Sequence, residues 1–248
     1  METRRDWHED DEFWKLAEPF MFDDIRIQSA RPEVEQIVNL ARIEPPASVL
    51  DLCCGPGRHS VEFARKGFAV TGVDRTARYL ERARKAAGGL PVEWVHEDAR
   101  RFVRPGRFDL AVNLYTSFGY FESPEDDLLV ASNFAESLKP GGMLVMQLMG
   151  KEVIVKRFAE RTWEQRGDAT LLQDHRLHPN FSAIENRWTL LTPSGVKEIG
   201  FVVRLYAATE MEALLRRAGF STVRFLGSLE GLPYDQTALR MVVLARKE

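Results

Sequence analysis

Between Val49 and Asp98 the chain carries glycines and acids whose spacing suits recognition of an adenosine with a short polar tail. The run Val49-Leu50-Asp51-Leu52-Cys53-Cys54-Gly55-Pro56-Gly57-Arg58-His59-Ser60 reads as a buried strand, a glycine turn and a helix start in succession. Gly55 and Gly57 let backbone approach a ligand where a Cβ would collide, and open amides at a helix start receive an anionic or polar group. Several classes of nucleotide-cofactor enzyme share such a turn, so the acids downstream have to discriminate. Val70-Thr71-Gly72-Val73-Asp74 ends a second strand in a carboxylate, at about the distance from the turn that lets it accept both ribose hydroxyls. A third strand ends in Glu97-Asp98-Ala99, where Asp98 can accept from the exocyclic amine of adenine. Position 60 is Ser60, so the third glycine of the dinucleotide fingerprint is missing. Either acid alone would serve equally as a cap for the next helix or turn, but their placement at successive strand ends favours a ligand.

A second cluster, Asn113-Leu114-Tyr115-Thr116-Ser117-Phe118-Gly119-Tyr120-Phe121, follows the fourth strand and is dense in aromatic and hydroxyl groups. Ligands of open α/β sheets gather outside the carboxyl ends of strands, so this loop should border the reacting end of the ligand. Tyr115, Tyr120, His59 and His178 have side chains able to take a proton, and no spacing selects among them. His175 and His178 stand three apart without a carboxylate cluster, which reads as surface or lid packing, and no metal site is expected.

Holding these residues requires a parallel sheet covered by helices. From position 48 short apolar strands alternate with amphipathic helices, with strands expected at 48–52, 69–73, 92–95, 108–113 and 143–148. Helices are expected at 60–66, 76–87 and 124–138, the last stopped by Pro140-Gly141-Gly142. An earlier helix begins near Pro32 and ends before Pro45-Pro46. Beyond Gly150, strand-like stretches at 170–178, 183–192 and 196–205 are divided by turn signals and predict an antiparallel insertion. A helix at 209–218 and strands at 222–226 and 238–245 then complete the main sheet. The chain reads as one α/β, doubly wound, Rossmann-like domain over 1–248: an N-terminal cap at about 1–45, a core at about 46–150, an insertion at about 151–205 and a completion of the core at about 206–248.

The segment resembles class I S-adenosylmethionine-dependent methyltransferases. Asp51-Leu52-Cys53-Cys54-Gly55-Pro56-Gly57 matches that family's first motif, Asp74 its ribose-binding acid, Asp98 its adenine-binding acid, and Leu138-Lys139-Pro140-Gly141-Gly142 its turn before the fifth strand. The resemblance covers 48–148 and implies S-adenosyl-L-methionine as cofactor and a mainly parallel seven-stranded sheet whose last strand is antiparallel. It places Gly55 and Gly57 against the methionine moiety, Asp74 on the ribose and Asp98 on the adenine, with Ala99 and Arg100 lining the base pocket. Asp51, Cys53, Arg75, Asn113 and Leu114 complete the expected cofactor set. Arg58 or His59 is a candidate for the cofactor carboxylate. The Asn113-Leu114-Tyr115-Thr116 sequence departs from the Asn-or-Asp, double-proline, aromatic motif of enzymes that methylate base or glutamine amino groups. Trp14, Phe22, Arg26, Tyr115, Tyr120, Trp163, Trp188 and Arg204 are the candidates for lining an acceptor cavity.

Composition narrows the partner. The 248 residues carry a formal net charge of -3, with 44% hydrophobic and 29% charged residues, which is ordinary globular usage and gives no general attraction to phosphate backbones. No apolar run is long enough to cross a bilayer. The two cysteines are adjacent, which argues against a disulfide framework and for a reducing, cytoplasmic setting. The expected activity is methyl transfer to an O, N or C atom of a small molecule, with no membrane or nucleic-acid partner and no oligomeric state specified. An RNA or protein methyltransferase and a non-catalytic cofactor-binding module are the rivals.

Overall fold

The computed structural model describes residues 7–248; residues 1–6 of the expected cap lie outside the described residues. Seven strands form the main sheet: β1 (Ser48–Leu52), β2 (Ala69–Asp74), β3 (Val92–His96), β4 (Phe108–Asn113), β5 (Leu138–Leu148), β10 (Phe220–Leu226) and β11 (Met241–Lys247). Their order is β10-β11-β5-β4-β1-β2-β3. β1 pairs in parallel with both β2 and β4, whereas β11 runs antiparallel between β5 and β10. The mainly parallel seven-stranded sheet with an antiparallel last strand is therefore present.

Alternation along β1 sends Val49 to one core and Leu50 and Leu52 to the other. On one face α3 (Ala30–Ala41) and α4 (Arg58–Arg65) contribute Val34, Ile37 and Phe63. On the other, α6 (Pro124–Ser137) and α8 (Ala208–Arg217) contribute Val130, Phe134, Met211 and Leu215. α5 (Ala77–Ala87) follows β2. β5 starts earlier than the expected 143, because Leu138 already pairs with Phe108 and the Pro140-Gly141-Gly142 stretch is absorbed as a register shift. The helix before it therefore ends at Ser137 instead of being stopped by that turn.

The insertion is a separate four-stranded antiparallel sheet of β6 (Arg161–Arg166), β7 (Ala169–Leu177), β8 (Ala183–Thr192) and β9 (Gly195–Arg204), preceded by α7 (Lys151–Arg157). Its inner face receives α1 (Asp11–Met21), whose Phe13, Trp14, Ala17 and Phe20 fall on one helical stripe and are buried. Asp10 caps α1 by accepting from the amides of Glu12 and Phe13. α2 (Asp24–Gln28) continues to α3. The opposite side of α1 is tied to α5: Tyr79 Oη donates to the Trp14 carbonyl at 2.8 Å, and Glu18 pairs with Arg78 and Arg82. The cap is thus wedged between the second sheet and the core. Among the described residues no helix is long and apolar enough to cross a membrane.

Candidate active site

A cavity opens at the carboxyl ends of β1, β2 and β3 and is roofed by the cap. Asp51, Cys53, Gly55, Asp74, Arg75, Asp98, Ala99 and Leu114 of the expected cofactor set all line it. Asp74 is fixed by two backbone donors, the Gly55 amide at 2.7 Å and the Thr76 amide at 2.8 Å, so the acid is locked to the glycine turn. Burial pushes its carboxyl above the usual range. Burial also acts on Asp98, but two hydrogen bonds from the Arg100 side chain, at 2.6 and 3.0 Å, outweigh it and hold that carboxyl below its usual range. Asp51 lies beneath the turn, accepting from Ser60 Oγ at 2.5 Å, and is itself pushed upward by burial.

The packing gives several of the expected residues other contacts. Gly57 does not line the cavity: a Cβ there would stand 2.5 Å from Trp94 and 2.7 Å from the Ala83 Cβ, and its φ of +75° is left-handed. Its glycine serves the junction between α4, α5 and β3. Arg100 is not a wall residue but a brace behind Asp98, bonded to Glu9 at 2.9 Å and lying over the Phe121 ring. Asn113 turns its Nδ2 to the carbonyls of Leu52 and Ser117, at 3.1 Å each, and holds the loop instead of facing the cavity. Arg204 is committed to Asp127 and to the carbonyls of Phe121 and Glu122, a half-buried clamp from β9 to α6 and the loop before it. Arg26 donates to the Phe20 carbonyl and faces Asp23 at 3.9 Å, bracing the cap. His178 stands outside both cavities, 3.5 Å from Glu185, and Trp163 is 68% exposed.

Sequence reasoning missed His8 because it sits in a charged stretch without apolar periodicity. The residue is 5% exposed, lines the cavity and packs edge-on against Phe121, and neither ring nitrogen makes a hydrogen bond among the described residues, Nε2 standing 3.7 Å from Glu9. Met21, Thr76, Tyr79, Glu97 and Phe118 also contribute walls. Arg58 and His59 share Glu33, with Nη1 at 2.9 Å and Nε2 at 2.6 Å, while Arg58 Nη2 is buried and unpartnered in the wall.

The loop after β4 carries backbone strain: Tyr115 and Thr116 both have φ of +61°, a conformation rare for residues with a Cβ. Hydrogen bonds to the end of β5 offset it, the Thr116 amide donating to the Gln147 carbonyl and the Met149 amide to Thr116 Oγ1. The strain turns Tyr115 so that its ring lies 4.1 Å under the Arg58 guanidinium. A second cavity of about 480 Å³ begins there, bounded by the cap, the second sheet and α7. Trp14, Met21, Tyr115 and Tyr120 line both chambers, and Trp188 walls the second. Burial raises the Tyr120 hydroxyl above its ordinary value, so it is a neutral donor.

A family model described as a methyltransferase domain matches residues 49–142. The chain is 28% identical over 208 residues to the dTDP-3-amino-3,4,6-trideoxy-alpha-D-glucopyranose N,N-dimethyltransferase of Streptomyces venezuelae, covering 80% of this chain and 86% of that one. Residues 49–142 thus match a methyltransferase domain, and along most of its length the chain is similar to an S-adenosylmethionine-dependent type of methyltransferase. Solved methyltransferases share the fold. An S-adenosylmethionine-dependent methyltransferase from Clostridium acetobutylicum superposes with a TM-score of 0.78 at 13% identity, covering 95% of this chain and 98% of that one. The S-adenosylmethionine-bound CalS10, an amino pentose methyltransferase from Micromonospora echinaspora, gives 0.66 at 22% identity over 88% and 92% of the two chains.

The residues present fit the methyltransferase cofactor. Two carboxylates at adjacent strand ends suit hydroxyl and amine donors, and the unpartnered Arg58 Nη2 suits a carboxylate. When bound, S-adenosylmethionine supplies an electrophilic methyl group carried on a sulfonium. The methyltransferase's own walls orient the reactants and exclude water around them.

Proposed function

We propose that this methyltransferase acts on the nitrogen of a small amine, held in the second cavity. The observation carrying this reading is the junction of the two chambers at Tyr115, Tyr120, Trp14 and Met21, which sets a second, largely aromatic cavity against the cofactor cavity. Two of the relatives named above, the Streptomyces venezuelae N,N-dimethyltransferase and CalS10, are named for amino sugars, which supports an amino group over oxygen or carbon. In this reading Asp74 holds the ribose, Asp98 the adenine amine and Arg58 the carboxylate of the cofactor. Tyr115 and Tyr120 border the transferred methyl. A neutral amine attacks without prior deprotonation, so positioning and exclusion of water supply most of the rate. Cap, core, insertion and C-terminal completion work as one unit, because each contributes a wall. A cytoplasmic setting agrees with Cys53 and Cys54 being free thiols.

Incubation with methyl-labelled S-adenosylmethionine and separate pools of small amines, RNA and protein tests the reading. Label should enter the small-amine pool. Label confined to RNA or protein would support the corresponding rival, and cofactor binding without transfer to any pool would favour a non-catalytic module.

A further inference from the structure

The second cavity has a charge asymmetry that methyl transfer alone does not require. Its walls are mostly aromatic and aliphatic, and among the described residues they include Arg157 and Arg240 but no Asp or Glu. Arg240 is half-buried just before β11, and the hydrogen-bond partner of its guanidinium is the Met149 sulfur, a weak acceptor. Arg157 ends α7 and pairs with no carboxylate among the described residues. The two are brought to one end of the chamber because Lys156 binds the carbonyls of Gln236 and Ala238, at 2.7 and 3.1 Å, pinning α7 to the segment that leads into β11. A half-buried guanidinium without a carboxylate is costly unless something anionic completes it. Burial lowers the pKa of Arg240, Tyr115 acts against it, and the nearby charge of Arg157 lowers it further. Glu33 acts in the opposite direction and Arg26 in the same one.

We propose that this end of the second cavity is an anion subsite, in which Arg157 and Arg240 hold a carboxylate or phosphate borne by the acceptor. This deepens the reading above and rests on it. An acceptor anchored there by its charge lies beside Tyr115, which is near Arg240, so its nucleophilic atom can meet the first cavity at the junction of Tyr115 and Tyr120. An uncharged amine of the same skeleton lacks the anchor.

The test uses the full-length protein saturated with S-adenosylhomocysteine and titrated with inorganic phosphate, with acetate and, as a control for ionic strength, with sodium chloride. Heat and tryptophan fluorescence are the readouts, since Trp7, Trp14 and Trp188 line the chamber. Saturable binding of phosphate or acetate is expected, and Arg157→Met with Arg240→Met should weaken it by about tenfold or more, as loss of charge-assisted contacts implies. S-adenosylhomocysteine affinity should stay unchanged in the same variant. Preference for phosphate would mark a phosphorylated acceptor, and comparable acetate binding a carboxylated one. No saturation beyond the chloride control, or equal binding by the double variant, overturns the subsite while leaving the methyltransferase reading intact. Failure to bind S-adenosylhomocysteine overturns both.

Discussion

Asp74 and Asp98 present carboxylates to one cavity but are held by different means, and their substitutions should separate accordingly. Removing Asp74 leaves the amides of Gly55 and Thr76 without acceptors, so Asp74→Ala should lower stability by roughly 1–3 kcal/mol as well as weaken S-adenosylmethionine. Asp98 accepts from the Arg100 amide at 2.8 Å and from the Arg100 side chain, which keeps Glu9 as a partner, so Asp98→Ala orphans one amide instead of two and should weaken the cofactor by about tenfold with a smaller loss of stability. Calorimetric binding and denaturant melts separate the two effects, and unchanged affinity in both variants would remove the acids from the site. Gly57→Ala is expected to destabilise by about 1–3 kcal/mol, because its Cβ meets Trp94 and Ala83 and its φ is left-handed. That loss should appear as a shifted unfolding midpoint, with no cofactor contact directly removed.

The elements that carry the cofactor acids were legible because their signals are local. β1 and β4 fall on the expected residues, since a short apolar run bounded by turn residues leaves little freedom. β6 was missed because Arg161-Thr162-Trp163-Glu164-Gln165-Arg166 is polar on both faces and buries almost nothing. α1 was read as a lid without a helix: Pro19, near its end, and a charged start obscure the Phe13, Trp14, Ala17, Phe20 stripe. Of the second cavity the sequence offered Trp14, Tyr115, Tyr120 and Trp188 but neither Arg157 nor Arg240, because its walls come from the cap, the loop after β4, α7, the second sheet and the segment leading into β11, far apart along the chain. Trp7 is the pin joining these parts. It is 3% exposed, packs on Phe13, Tyr120 and Phe201, and donates to the Val202 carbonyl. Trp7→Ala should remove about 3–5 kcal/mol of packing from the cap. Hydrogen exchange should therefore rise in α1 and α2 while the β1, β4 and β5 amides keep their protection. Uniform loss across both sheets would mean that the cap and core unfold as one.

At the scale of the whole molecule, two faces of the fold meet at buried ionisable groups, and stability should follow pH through them. Burial holds the folded His59 imidazole below its ordinary value despite Glu33 beside it, so the unfolded chain takes up a proton more readily below about pH 6.5. His8 is lowered in the same way. Glu33, held below its ordinary value by His59 and Arg58 against the effect of burial, contributes stability that is lost only at more acid pH. The unfolding free energy from denaturant melts should thus fall as pH drops from 7.5 to 5.5, with a slope of up to about 1.4 kcal/mol per pH unit for each histidine, and His59→Gln should flatten it. A slope unchanged by that substitution would assign the effect elsewhere. The central claim is that the carboxyl ends of β1, β2 and β3 build a site for one adenosine with a methionine-like tail. Calorimetric titration of the purified protein with S-adenosylmethionine, S-adenosylhomocysteine and NAD tests it most directly. The account predicts saturable binding of both sulfur ligands and none of NAD; binding of NAD alone would contradict it.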